Sequence, residues 1–278
     1  MIGADDDGAI YGANLTLEAN TNAFKVYKWD SDIFPPNIVY EGIPALFGAT
    51  LSGGRLGDTF DVTGSGNNVR VAAGYANTAI TEDNTYALIA PNIDPFLATG
   101  TAITFGNPAP AQGAFRLGIT FAGADKVVGS QGSGGFNFTT YNEPLSTGTL
   151  DLARTLTNVN ERPMDYAIVN GVPLLATLEA NGNTDTPAAT FSTVRIYSLF
   201  DPANPELVGS GRTAAFWTSQ GSSAPGTGSV AWGEITGATA TLYAMNTLND
   251  IQAFEVMVIP EPSTAALLGL TTLALAAR

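Results

Sequence analysis

Neither cysteine nor histidine occurs anywhere in the 278 residues. Their absence removes every disulfide, every Ser-His-Asp or Cys-His nucleophile, and every zinc site of ordinary ligand type. Catalysis would fall to carboxylates, Lys, Tyr or Ser, and a metal would have to be a hard cation held by oxygens, with calcium the natural choice. Charge is scarce too, at 13% of residues, yet 25 acids against 11 bases leave a formal net charge of −14. That one-sided acidity argues against nucleic acid or an anionic membrane as a partner. Sustained helical patterning is also missing. With 31 Gly and 16 Pro, about 17% of positions interrupt regular helices, and no stretch before residue 263 keeps apolar residues at i, i+3, i+4, i+7 for three turns. What remains is 45% apolar with 9% aromatics, enough to bury a large core as one big domain or two small ones.

From Ile10 to Val258 short apolar runs alternate with Gly, Asn, Asp, Pro, Ser and Thr, the pattern of strands and turns. A repeat lies beneath it. The segment from Phe24 to Trp29 parallels those from Val194 to Leu199 and from Ile251 to Val256, at offsets of 194 − 24 = 170 and 251 − 194 = 57 residues. Since 170 is almost three times 57, two more units should begin near 81 and 137, where Thr85-Tyr86-Ala87-Leu88 and Phe136-Asn137-Phe138-Thr139 stand. Five units of three or four antiparallel strands have the size of β-propeller blades. The expected fold is therefore all-β and β-propeller-like with about five blades over residues 1–258, against the alternatives of a β-sandwich pair or a β-helix. In that arrangement the three segments are equivalent third strands, with Lys25, Arg195 and Gln252 on matching faces and Tyr27, Tyr197 and Phe254 packing against adjacent blades.

Carboxylates carry most of the remaining chemistry. Asp58 and Asp61, at i and i+3 beside the loop Gly64-Ser65-Gly66-Asn67-Asn68, are candidate calcium ligands or channel-lining residues. The competing reading makes them caps that accept backbone N–H bonds. A carboxylate-dependent hydrolase would draw its two acids from Asp58, Asp61, Asp165 and Glu234, which no motif distinguishes. The glycine-rich run Gly129 to Gly135 lacks the Gly-Lys-Ser/Thr ending of a phosphate loop and reads as a hairpin loop. Trp29, Trp217 and Trp232 are either sugar-stacking platforms or packing anchors. The opening acids Asp5-Asp6-Asp7 read as a solvated end, and they exclude a basic n-region of an export signal in the sequence as written.

The other end carries the sharpest pattern. Pro260-Glu261-Pro262 is followed by an uncharged apolar stretch through Ala277 and then by Arg278. Residues 264–277 are expected to form one C-terminal hydrophobic helix, apolar all round and of marginal length for a membrane span. This order resembles the PEP-CTERM protein-sorting signal, a Pro-Glu-Pro motif before a short hydrophobic helix and a basic cluster. The resemblance covers residues 259–278. It implies that Pro260, Glu261 and Pro262 are recognised by an exosortase-type processing enzyme, while the helix, ending at Arg278, holds the chain in the inner membrane until then. It further implies export to the cell surface or exterior of an exopolysaccharide-making bacterium, with extracellular polysaccharide as a possible partner. A single Arg and a missing signal peptide depart from the family pattern, and a fragment cut at each end explains both most simply. The body resembles, in texture only, the uncharacterised propeller-like domains of other such proteins. The function expected is a non-catalytic binding or structural module with no cofactor beyond possible calcium, and the alternative is a secreted glycosidase or esterase on the same scaffold.

Overall fold

The structure, a computed structural model, describes residues 2–17, 22–31, 33–43, 54–76, 84–130, 135–156, 161–179, 192–213, 228–246 and 251–259. Over these residues the chain is all-β, with short 3-10 turns as its only helical pieces. The expected C-terminal helix, Pro260, Glu261, Pro262, Arg278 and Trp217 lie outside the described residues. Among the described residues no helix is long and apolar enough to cross a membrane.

Each run of strands is an antiparallel meander. The first contains β1 (Ile2–Ala4), β2 (Ile10–Ala13), β4 (Phe24–Trp29) and β5 (Asn37–Gly42), while the two-residue β3 (Thr16–Leu17) leaves it to pair with β6. The second is β6 (Arg55–Thr63), β7 (Arg70–Ala76), β8 (Tyr86–Ala90) and β9 (Thr99–Phe105). The third is β10 (Ile119–Phe121), β11 (Lys126–Ser130), β12 (Phe136–Asn142) and β13 (Thr147–Arg154). A short parallel pairing, Thr147 with Thr104 and Gly148 with Phe105, joins the second and third runs, with β3, into one nine-stranded sheet. The fourth run is β14 (Glu161–Val169), β15 (Val172–Glu179), β16 (Thr193–Ser198) and β17 (Glu206–Arg212), and the last is β18 (Gly228–Thr236), β19 (Thr239–Asn246) and β20 (Gln252–Met257).

Turn chemistry sets the registers. Asn170-Gly171, both at positive φ, close β14 onto β15 so that Val169 faces Val172, as a two-residue type I′ turn requires. The segments singled out by the repeat, β4, β8, β12, β16 and β20, each stand third in their run. Three share an irregularity: β4 shifts register between Val26 and Tyr27, β12 between Phe138 and Thr139, and β16 between Ile196 and Tyr197.

Because both faces of most strands are apolar, the runs stack face to face. Phe24 and Val26 meet Leu56, Val71, Tyr75 and Ile89 between the first and second runs. Phe115 fills the space between the second and third, 4.8 Å from the Tyr86 ring centre and 5.7 Å from that of Phe105. Phe136 meets Tyr197 edge-on at 5.3 Å between the third and fourth, and Val194, Ile196, Leu242 and Phe254 lie between the fourth and last. The opening strands β1, β6, β10, β14 and β18 are neighbours in chain order, and this row positions the candidate site. Tyr197 and Phe254 pack on an adjacent run, as the repeat requires. Tyr27 instead shares the outward face of the first sheet with Ile10 and Trp29, where it remains partly exposed. Lys25 pairs with Glu41 at 2.8 Å and Arg195 with Glu179 at 2.9 Å, each bridging from a third strand to a neighbour.

Candidate functional site

The row of opening strands holds a repeated acceptor. On β6, Asp61 takes its own neighbour's amide, Val62 N–H at 2.8 Å, with one oxygen and Phe121 N–H at 2.7 Å, from β10, with the other. On β14, Asp165 repeats this with Tyr166 N–H at 2.9 Å and Trp232 N–H at 2.6 Å, from β18. Between them, the buried Thr120 hydroxyl accepts Tyr166 N–H at 3.2 Å and lies 3.5 Å from Asp165 Oδ1. Asp61, Thr120 and Asp165 therefore each receive an amide from the opening strand of the next run. The indole N–H of Trp232 closes the series on the Asp165 carbonyl at 3.2 Å.

Both carboxyl groups are pushed up in pKa. Removal from water is the main cause at each. The Asp61 charge adds to it at Asp165, which rises to about 8 against the opposing donors Trp232, Tyr166 and Thr120. Asp61 rises to about 6, with Phe121, Val62 and Thr120 opposing burial and Asp6 adding a small push upward. Burial and mutual repulsion thus favour retention of a proton by the pair, because two carboxylates cannot share one desolvated neighbourhood cheaply.

Asp58 has a separate life from Asp61. Arg55 grips it through Nε at 3.0 Å and through Nη2, and Arg116 Nε stands 3.5 Å away. Glu234 is exposed on β18 and accepts the Thr236 hydroxyl at 3.3 Å. Of the four candidate acids, the structure gives only Asp61 and Asp165 a shared site, and among the described residues no group of three or more Asp or Glu is placed to hold a metal ion. Thr120 and the two arginines on Asp58 were not singled out in the sequence. A small acceptor followed by an apolar residue, as in Asp61-Val62, Thr120-Phe121 and Asp165-Tyr166, is the signal that marks the series.

Among the described residues, two clefts lie away from this row. One, of about 660 Å³, is formed by Ile2, Asp7 to Ile10 and Lys28 to Ser31, and includes Trp29. The other, of about 560 Å³, runs between the β5 and β9 edges beside Glu143 and Ser146. Asp5, from the acidic opening, is buried rather than solvated: its Oδ1 receives Ala9 N–H at 2.8 Å and Asp7 N–H at 3.1 Å, organising the turn that walls the first cleft.

No family model matches the sequence, and no curated protein matches it. Among solved structures, the chain is similar to a DUF4623 family protein from Bacteroides eggerthii, at 13% identity and a TM-score of 0.58, over 92% of this chain and 57% of that one. The chain thus spans little more than half of that protein's length, and the likeness is one of fold alone. Weaker similarity links it to AofleA from Arthrobotrys oligospora (9% identity, TM-score 0.47, 91% of this chain and 70% of that one). The fucose-specific lectin from Aleuria aurantia stands at 10% identity and a TM-score of 0.42, over 94% of this chain and 79% of that one.

Proposed function

We propose that this is an exported cell-surface or matrix protein whose body, residues 1–258, is a propeller-type stack of five blades with a binding or structural role rather than a catalytic one. The observation that carries the export reading is the order Pro260-Glu261-Pro262, apolar run, Arg278 over residues 259–278. An exosortase-type enzyme is the partner this order implies. The chain would reside in the inner membrane during sorting, and extracellular polysaccharide would surround it afterwards. Support for the blade reading comes from five successive antiparallel runs whose opening strands adjoin and whose third strands recur at the repeat offsets. The non-catalytic reading is supported by the commitments of Asp61 and Asp165: both oxygens of each accept backbone amides, and neither residue lines either of the two clefts described above.

The test is expression, with an export signal added, in a host that carries an exosortase. Intact mass spectrometry of released protein should show loss of the last 20 or so residues, and an uncleaved C-terminus on released protein would overturn the sorting reading.

A further inference from the structure

The first cleft has the makings of a ligand site that the carboxylate row lacks. Its floor is the outward face of the first sheet, where Ile10 stands directly opposite Trp29 across β2 and β4, with Ile2 at its margin. Ile2 is 70% and Ile10 41% exposed, so this apolar floor is open to a ligand. Polar groups border the same floor: Asp7 on one wall, Asp30 and Ser31 on the other. An apolar platform with an indole, edged by carboxylates and a hydroxyl, matches a pyranose, whose C–H face is apolar and whose rim is hydroxyls.

The walls are fixed before any ligand arrives. Asp5 Oδ1 holds the Asp7 and Ala9 amides, Gly8 N–H bonds the Asp5 carbonyl at 2.9 Å, and Asp6 N–H bonds the Gly64 carbonyl at 2.9 Å, tying the turn to the second run. Opposite, Asn37 Nδ2 donates to Asp30 Oδ2 at 2.7 Å and orients that carboxylate. Walls held this way lose little freedom on binding, which favours affinity. The volume of about 660 Å³ falls inside the roughly 300–1,000 Å³ usual for small-ligand sites. Charge narrows the ligand further: Asp7 and Asp30 outnumber Lys28 in the lining, and with a chain net charge of −14 the cleft disfavours uronates and sulfated sugars.

We propose that this cleft binds a neutral hexopyranose chain, with the ring stacked on Trp29 and its hydroxyls on Asp7, Asp30 and Ser31. The proposal rests on the reading of the protein as a matrix module and supplies that reading with a ligand class.

Isothermal titration of the whole chain with cellohexaose, maltohexaose and mannohexaose, with a polyguluronate hexamer as the acidic control, tests it. At least one neutral hexaose should bind, and Trp29→Ala should weaken that binding about tenfold or more. Asp7→Asn, a change at an exposed turn residue, should weaken it severalfold, so the proposal does not hang on the folding of the Trp29 variant. Unchanged binding in both variants, binding of the polyuronate alone, or no binding of any neutral hexaose up to millimolar concentration would each overturn the cleft. The sorting reading stands or falls separately, on the mass of the released C-terminus.

Discussion

At the scale of the residue, Asp165 couples the assembly to pH. Its folded pKa of about 8 lies above the roughly 3.9 of an unfolded aspartate, so folding favours the protonated form. The stability this adds is fully present below about pH 4 and is lost as the pH rises through about 8. Urea titrations between pH 5 and 8.5 should therefore show wild-type stability falling with pH. Asp165→Asn keeps an oxygen for the Trp232 amide and carries no charge, so it should lose about 1–2 kcal/mol of that slope, a figure discounted for partial exposure. Self-repulsion of the acidic chain acts on both proteins and cancels in the difference. Equal slopes in the two would remove Asp165 as the source. None of this coupling was legible beforehand, because whether an aspartate is solvated or stripped of water depends on strands more than 40 residues away. The sequence offered Asp58 and Asp61 as a pair, whereas Arg55 and Arg116 claim Asp58, and Asp61 finds its companion across Thr120.

At the scale of the element, the tight approach of opening strands is the feature most exposed to mutation. Gly118, just ahead of β10, presents its backbone to β14 so closely that an added Cβ would run into the Arg162 carbonyl oxygen and approach the Ser130 hydroxyl. Its own carbonyl accepts Ser130 N–H at 3.0 Å, so the strand has no easy retreat. Gly118→Ala should cost about 2–4 kcal/mol in chemical denaturation. Gly106→Ala, where an added Cβ meets nothing within 4 Å, should stay within about 0.5 kcal/mol. Equal effects would contradict the close packing of the opening strands. Strand content was readable from apolar runs between turn residues, and the Asn170-Gly171 hairpin was written in its dipeptide. Other edges were not: β14 begins at Glu161, inside the polar Glu161-Arg162-Pro163, and β1 occupies Ile2–Ala4 beside the acids. The stretch from Phe115, apolar enough to read as the start of a strand, is a turn up to Ile119, where Phe115 plugs the core and its carbonyl accepts the Thr59 hydroxyl at 3.3 Å. Backbone partners decided these cases, and local pattern does not encode them.

At the scale of the whole molecule, the repeat read from Phe24, Val194 and Ile251 corresponds to third strands in separate runs, and the two registers predicted between them fall on β8 and β12. It was legible because neighbouring runs bury apolar faces against each other, which writes a similar alternation into every copy. The joining of the second and third runs through Thr147 and Gly148 was not, since two residue pairs leave no periodic trace. The outward faces at either end of the stack carry exposed apolar groups, Ile2 and Ile10 on the first sheet and Tyr243, Met245 and Met257 on the last. What becomes of the molecule after synthesis is tested most directly by a paired fractionation. The chain, carrying an export signal, is expressed in an exosortase-bearing host and in the same host with the exosortase gene deleted, and is then quantified in inner membrane and extracellular matrix. The account predicts matrix protein in the first strain and inner-membrane protein in the second; the same distribution in both would contradict it.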